Sequence, residues 1–398
     1  MKIKNKFRTL YLLILSFLIF SCENNEKAVL CFSPQAKAQV PDVSGKFVEL
    51  QKFNDSNGDG KVDYCRVNTY DNKGNRLVLQ VESNGDFRYE SINTYSYDDD
   101  GNLIAFENDS NADGKVDSRG KSTYNDSGLQ TSYAYDNEGD GIFDFIYIFI
   151  YDLKDNLLKS QYDYNNDGKF EYISINTYDE NNNLILQEYD SDADGITDEY
   201  YEYTYDISGN LISKQRYFNN ILISQILYTY DQFGNRTKLE EDFDGDGIFD
   251  RVIKSEFDVN GNIIVTEIDY DGDGFFENII KSEFDNNGNM ILQQGDHDAD
   301  GVYEYVYEWV YDENNNITLY TRWVNLDSGP LLYIVSYEYN SENKRIKVTY
   351  DYDGDGLPDE IISRIYDEYG NLTEVSNERD GWYNSIEEYT YLFIPDSN

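Results

Sequence analysis

A chain of 398 residues could hold two or three domains, but a fixed internal period overrides that expectation and points to a single repeat array. Its formal charge of −45, from 77 acidic and 32 basic residues, repels phosphate backbones and anionic lipid surfaces and so excludes a nucleic-acid binder. An aromatic content of 16%, dominated by 39 tyrosines, excludes a disordered acidic tail, because such a chain has apolar surface to bury.

Residues 1–22 have the form of a secretory leader. Lys2, Lys4, Lys6 and Arg8 precede an apolar run from Leu10 to Phe20, which is short of the ~20 residues a membrane-spanning helix needs. The run ends in Leu18-Ile19-Phe20-Ser21-Cys22, which resembles the lipobox of bacterial lipoproteins. The resemblance implies lipidation of Cys22, attachment to a membrane through that N-terminal lipid anchor, and a place on the bacterial cell envelope, at the outer membrane or cell surface. An ordinary cleaved signal is the alternative. Residues 23–46 match no repeat and carry Pro34 and Pro41, as a flexible tether would. Cys31 and Cys65 either pair, as an exported context permits, or stay as thiols with Cys65 filling a strand position.

Residues 47–398 form the array. Its first motif is Tyr70-Asp-Asn-Lys-Gly74-Asn75, recurring at Tyr97, Tyr205, Tyr230 and Tyr366, with looser copies at Tyr124, Tyr151, Tyr178, Phe257, Phe284, Tyr311 and Tyr339. Nearly all successive copies are 27 residues apart. An Asp-x-x-Gly-Asn turn between alternating runs such as Tyr201-Glu-Tyr203-Thr-Tyr205 predicts a tight hairpin, in which the aspartate bonds the backbone ahead and glycine supplies the left-handed residue. The predicted fold is all-β: an antiparallel meander of about twelve 27-residue hairpin repeats, some 24 strands in all.

The second motif is an acidic loop of nine residues, with oxygen-bearing side chains at positions 1, 3, 5 and 9 and glycine at position 6. That donor set at that spacing suits a hard divalent cation, and Ca²⁺ is the expected ligand at several sites. The nine sets, in chain order, begin with Asp55, Asn57, Asp59 and Asp63, then Asp109, Asn111, Asp113 and Asp117, and then Asp136, Glu138, Asp140 and Asp144. They continue with Asp163, Asn165, Asp167 and Glu171, with Asp190, Asp192, Asp194 and Asp198, and with Asp242, Asp244, Asp246 and Asp250. Asp269, Asp271, Asp273 and Glu277, then Asp296, Asp298, Asp300 and Glu304, and finally Asp351, Asp353, Asp355 and Asp359 complete them. A metal-free turn explains one such loop, but not nine that keep the pattern. Three units depart from it: the one at Glu82 has Phe87 at the glycine position, and those near Tyr217 and Asn325 lack the acidic series. These are expected not to bind metal. In a meander all the acidic loops fall on one rim and all the tight turns on the other.

The turn motif resembles the YD-repeat (RHS) family, whose repeats read Tyr-Asp-x-x-Gly-Arg-Leu, often with a second tyrosine two residues earlier. Tyr95 and Tyr97, Tyr203 and Tyr205, Tyr228 and Tyr230, and Tyr337 and Tyr339 match that pairing over about residues 47–392, with Asn usually in place of Arg. The resemblance implies a long β-sheet curled into a sheet or hollow shell. The period alone leaves a β-propeller open as the alternative. The acidic loops are similar to the calcium loops of FG-GAP and thrombospondin type 3 repeats. They lack the position-12 glutamate of an EF-hand, since Ile253 and Ile280 stand there in two copies.

Catalysis is not expected. His297, the one histidine, sits at the outward position 2 of an acidic loop, and no nucleophile-base arrangement or phosphate loop accompanies it. The expected role is therefore a calcium-binding, lipid-anchored envelope protein, monomeric, with a structural or adhesive function through a protein ligand. Stacked tyrosines serve as sheet core in that reading. If their rings stand open, a surface glycan is the alternative ligand, and a sheet that encloses a cavity would point to a shell-type remnant of a YD-repeat toxin system.

Overall fold

The computed structural model describes residues 45–395, apart from 58, 60, 87, 327–328 and 380–384. Cys22, Cys31 and nearly all of the expected tether lie outside them. The described chain forms 26 strands and no helix, from β1 (Gly45–Asp55) and β2 (Tyr64–Tyr70) to β25 (Leu372–Arg379) and β26 (Ser385–Pro395). Every strand pairs antiparallel with the next in sequence, as the meander requires. In addition β1 pairs with β26 from Gly45↔Pro395 to Asp55↔Ile386, so the sheet closes on itself.

Closure makes the first and last strands into a thirteenth hairpin without a turn, which accounts for two more strands than the period predicts. It also decides the architecture, because one continuous closed ladder is not a propeller of separate blades.

Within a hairpin the ladder runs up to the tight turn, as from Cys65↔Glu82 to Tyr70↔Arg76, and the register slips at the glycine bulge. Between hairpins joined by an acidic loop only four residue pairs form, as from Val78↔Thr94 to Val81↔Ser91. Straight across the ladder, Asn68 meets Leu79 and Leu79 meets Asn93, two residues short of the repeat-equivalent Tyr95. That stagger of one residue per strand is the one that tilts the strands of an eight-stranded barrel by about 36°. With strands ~4.8 Å apart, a circular ring of this size would be roughly 50 Å across.

Side chains cannot fill such a ring. Among the described residues each strand touches only its two ladder neighbours. Among the described residues five hydrophobic side chains are buried: Phe53, Cys65, Leu239, Val335 and Val348. Apolar coverage comes instead from the tyrosine face of the sheet. In β20 (Tyr305–Tyr311) Tyr305, Tyr307, Trp309 and Tyr311 are half-buried while Glu308 and Val310 on the other face are exposed. The rings pack across strands in ladders, as in Tyr307–Tyr320–Tyr333–Tyr350, with centroids 6.2, 6.2 and 6.5 Å apart. These contacts supply part of what a filled core supplies in a smaller barrel.

Candidate metal-binding rim

Both motifs fold as built turns. In the tight turn, Asp206 Oδ1 accepts the backbone N–H of Ser208 (2.8 Å) and of Asn210 (2.9 Å), and Asn210 Nδ2 donates to Oδ2 at 2.9 Å. The last bond explains asparagine where the YD pattern has arginine: it locks the turn from within.

The acidic loop starts on the last residue of a returning strand and ends just before the next outgoing one. In the loop from Asp296, the Glu304 N–H closes the ring on the Gly295 carbonyl at 2.8 Å. Asp296 then accepts the N–H groups of Asp300 (3.2 Å) and Gly301 (2.9 Å), Asp298 that of Asp300 (3.3 Å), and Asp300 that of Val302 (2.7 Å). Glu304 accepts from His297 N–H at 2.5 Å, while the imidazole is exposed beside the Tyr305 ring. These amide bonds aim the four side chains inward, and one oxygen from each of Asp296, Asp298, Asp300 and Glu304 lies within 4.8 Å of the others. Asp269, Asp271, Asp273 and Glu277 converge in the same way, as do Asp163, Asp167 and Glu171, and Asp190, Asp192 and Asp194.

The remaining predicted loops share the backbone pattern. Asp59 N–H donates to Asp55 and Asn57, and Asp113 N–H to Asp109 and Asn111. Gly141, Gly247 and Gly356 donate to Asp136, Asp242 and Asp351. Asp144, Asp250 and Asp359 accept from position 2. The position-9 carboxylates of Asp63, Asp117 and Asp198 are held below the usual range by the hydroxyl and amide of Ser56, Ser110 and Ser191. Position 1 is buried in six loops, from Asp136 (0% exposed) to Asp351 (7%). An all-oxygen set, anionic and converging, fits a hard divalent cation.

Neighbouring loops touch. Position 4 of one lies against the position-8 carbonyl of the loop before it: a Cβ on Gly139 would meet the Val116 carbonyl at 1.9 Å, and one on Gly272 the Phe249 carbonyl at 1.7 Å. Asn166 Nδ2 makes the same approach as a 2.8 Å hydrogen bond to the Phe143 carbonyl. Position 4 is thus as constrained as the glycine at position 6, and it is left-handed even as Ala112, Ala193 and Ala299, at φ 54, 53 and 55°. Reading from the sequence missed this, although the recurrence of only Gly, Ala or Asn at that position was its signal.

Two loops depart from the expected set. At Asp136 a side chain already supplies positive charge: Arg119 Nε lies 3.0 Å from Asp136 Oδ2, and the guanidinium donates to the Gly139 carbonyl at 2.6 Å. The Glu82 loop, expected not to bind, nevertheless brings Glu82, Asp86 and Glu90 within 4.8 Å of one another. Phe87, the reason for that expectation, lies outside the described residues. The other two degenerate units have lost the loop. Asn219 and Asn220, both at positive φ, join β13 (Leu211–Phe218) to β14 (Ile221–Tyr230) directly, and the ladder between β21 (Ile317–Leu326) and β22 (Gly329–Tyr339) runs to Leu326↔Gly329.

Fold and rim together define a closed antiparallel β-repeat ring edged with oxygen-rich, cation-type loops. No family model matches the chain, and no curated protein does. Among solved structures it is similar to the crystal structure of TcdB2-TccC3-Cdc42, at 12% identity and TM-score 0.45 over 86% of this chain and 22% of that one. TcdB2-TccC3 without its hypervariable C-terminal region gives 12% and 0.41 over 86% and 22%. A porin-like protein from Bacteroides uniformis ATCC 8492 gives 8% and 0.20 over 69% and 97%. The chain spans about a fifth of the length of the first two. Likeness this distant bears on neither activity nor partners.

Proposed function

We propose that this chain is a calcium-binding, lipid-anchored protein of the bacterial envelope, in which calcium braces one rim of the ring and the ring acts as a structural or adhesive module. The observation that carries the reading is the contact between consecutive acidic loops. Sets of three or four carboxylates lie two strand spacings apart, ~10 Å, which is about the Debye length at physiological salt, so without counter-ions they repel one another. Divalent cations remove that repulsion and tie binding to folding. The adhesive part rests on position 7, where Ile142, Ile196, Ile248, Phe275, Val302 and Leu357 stand more than half exposed along the same rim. A broken row of apolar side chains between charged loops suits a protein partner. Among the described strands the closed ladder leaves no edge to recruit a second copy, which supports a monomer.

One observation favours a second reading. A closed sheet with an open interior is what a shell needs, and it supports the remnant of a YD-repeat toxin system as the alternative. The tyrosine rings, stacked against one another and half-buried, support core over glycan platform. Calcium titration followed by thermal melting, with and without chelator, tests the main reading: a higher melting temperature in calcium is expected, and equal temperatures overturn it. Substitution Cys22→Ala tests the anchor, since the variant is expected to leave the membrane fraction.

A further inference from the structure

We infer that the Glu82 loop is itself a calcium site, so that the rim from Asp55 to Asp198 is an unbroken run of six loops. The inference rests on the calcium reading above and extends it to a loop whose sequence argues against binding. The Glu82 side chain is fully buried, at 0% exposure. It stands in one cross-strand row with Phe53 and Cys65, both also buried. Its Oε1 accepts the N–H groups of Asn84 (3.2 Å) and Asp86 (3.0 Å), which turns the carboxyl group into the loop. Its Oε2 is buried without any hydrogen-bond partner.

A carboxylate oxygen out of water beside apolar groups is costly unless a cation or donor meets it. The hydrogen bonds made within the loop go to other oxygens. Asp86 Oδ1 accepts Arg88 N–H at 2.9 Å, and Glu90 Oε2 accepts the Ser83 N–H and hydroxyl at 2.6 and 3.1 Å. What remains is a pocket of carboxylate oxygens from Glu82, Asp86 and Glu90, with Asn84 in the place of the position-3 ligand. The loop is also braced like its neighbours, since Gly85 lies against the Val62 carbonyl of the loop before it. Glutamate at position 1 is one methylene longer than the aspartate used elsewhere.

Native mass spectrometry of the full chain in calcium, comparing wild type with Glu82→Gln and Asp246→Asn, tests the inference. Each variant is expected to hold one ion fewer than wild type. If Asp246→Asn loses an ion and Glu82→Gln does not, the Glu82 site is overturned and the calcium reading stands; if wild type binds none, both fall. Hydrogen exchange over residues 82–90 covers the case in which Glu82→Gln folds poorly. Wild-type protection there is expected to rise at least tenfold with calcium, and unchanged protection overturns the site.

Discussion

The hydroxyl of Tyr311 donates a 2.9 Å hydrogen bond to the carbonyl of Met290, 21 residues earlier and on the neighbouring hairpin. The ladder between those hairpins stops at Leu292↔Glu308, so toward the turn rim the two strands are no longer paired through their backbones. Tyrosine bridges the gap. Tyr124 to Leu103, Tyr151 to Gln130 and Tyr205 to Leu184 repeat the contact at 2.9, 3.0 and 3.0 Å, which gives the tyrosine of most repeats a physical reason. Tyr311→Phe is expected to cost about 1 kcal/mol in urea denaturation, the worth of one such bond. The converse holds at Phe257, where Phe257→Tyr should reach the Arg236 carbonyl and gain a similar amount. A stabilised Tyr311→Phe would refute the bridge.

Arg119 gives the Asp136 loop a cation of its own on the buried position-1 carboxylate. Asp136 is held below the usual carboxylate range: burial works against this, but the amides of Gly141 and Gly139 and the Arg119 charge outweigh it. Elsewhere the residue paired with position 1 is mostly apolar, as with Val252 opposite Asp269 and Ile279 opposite Asp296. Chelation should therefore loosen residues 136–144 less than 269–277, as read by hydrogen exchange. In Arg119→Leu the two loops should respond alike. Equal response in wild type would show that the guanidinium does not stand in for the ion.

The tight turns set a pH dependence on the opposite rim. Asp98, Asp152, Asp206 and Asp258 are all held below their ordinary 3.8, the largest cause in each being the side-chain bond from the asparagine four residues on. A carboxylate depressed in the folded state contributes stability that is fully present above its unfolded value, about 3.9, and lost as pH falls through the lower folded value. Melting temperature in chelator should therefore be level near neutrality and drop below about pH 4. These groups are only half-buried, so solvent screens each one and the effect comes from repetition. Asn210→Ala should shrink the drop, and an unchanged profile would remove the turn as its source.

The strands, the two rims and the placing of the acidic loops were legible because each follows from a local signal repeated many times. Closure was not. It depends on whether β26 meets β1 after thirteen small staggers, and no single residue encodes that sum. The role of Arg119 depends on a contact with the next strand, which a pattern read along one chain does not display, whereas the constraint at position 4 left a trace in the recurrence of Gly, Ala or Asn whose cause is a contact with the loop before. The expectation at Glu82 let one unsuitable residue, Phe87, outweigh four suitable ones, yet Glu82, Asp86 and Glu90 converge within 4.8 Å and Gly85 seats the loop against the Val62 carbonyl.

Closure gives the last prediction. Lys52 and Glu387 join β1 to β26 at 2.7 Å, with Asn54 donating to Glu387 at 3.2 Å. Burial raises the Glu387 pKa, but Lys52, Tyr389 and Asn54 together hold it below the ordinary value, so its carboxylate is charged at neutral pH. A chain ending at Asn384 would lose β26 and expose β1 and β25 as long edge strands with unpaired N–H and carbonyl groups. Such edges recruit other copies. Light scattering should find the 398-residue chain monomeric and the shortened one associated in a concentration-dependent way, with a lower melting temperature. If the shortened chain stays monomeric and melts at the same temperature, the ladder between the two ends contributes nothing to the ring, and an open, spiral sheet is the better description.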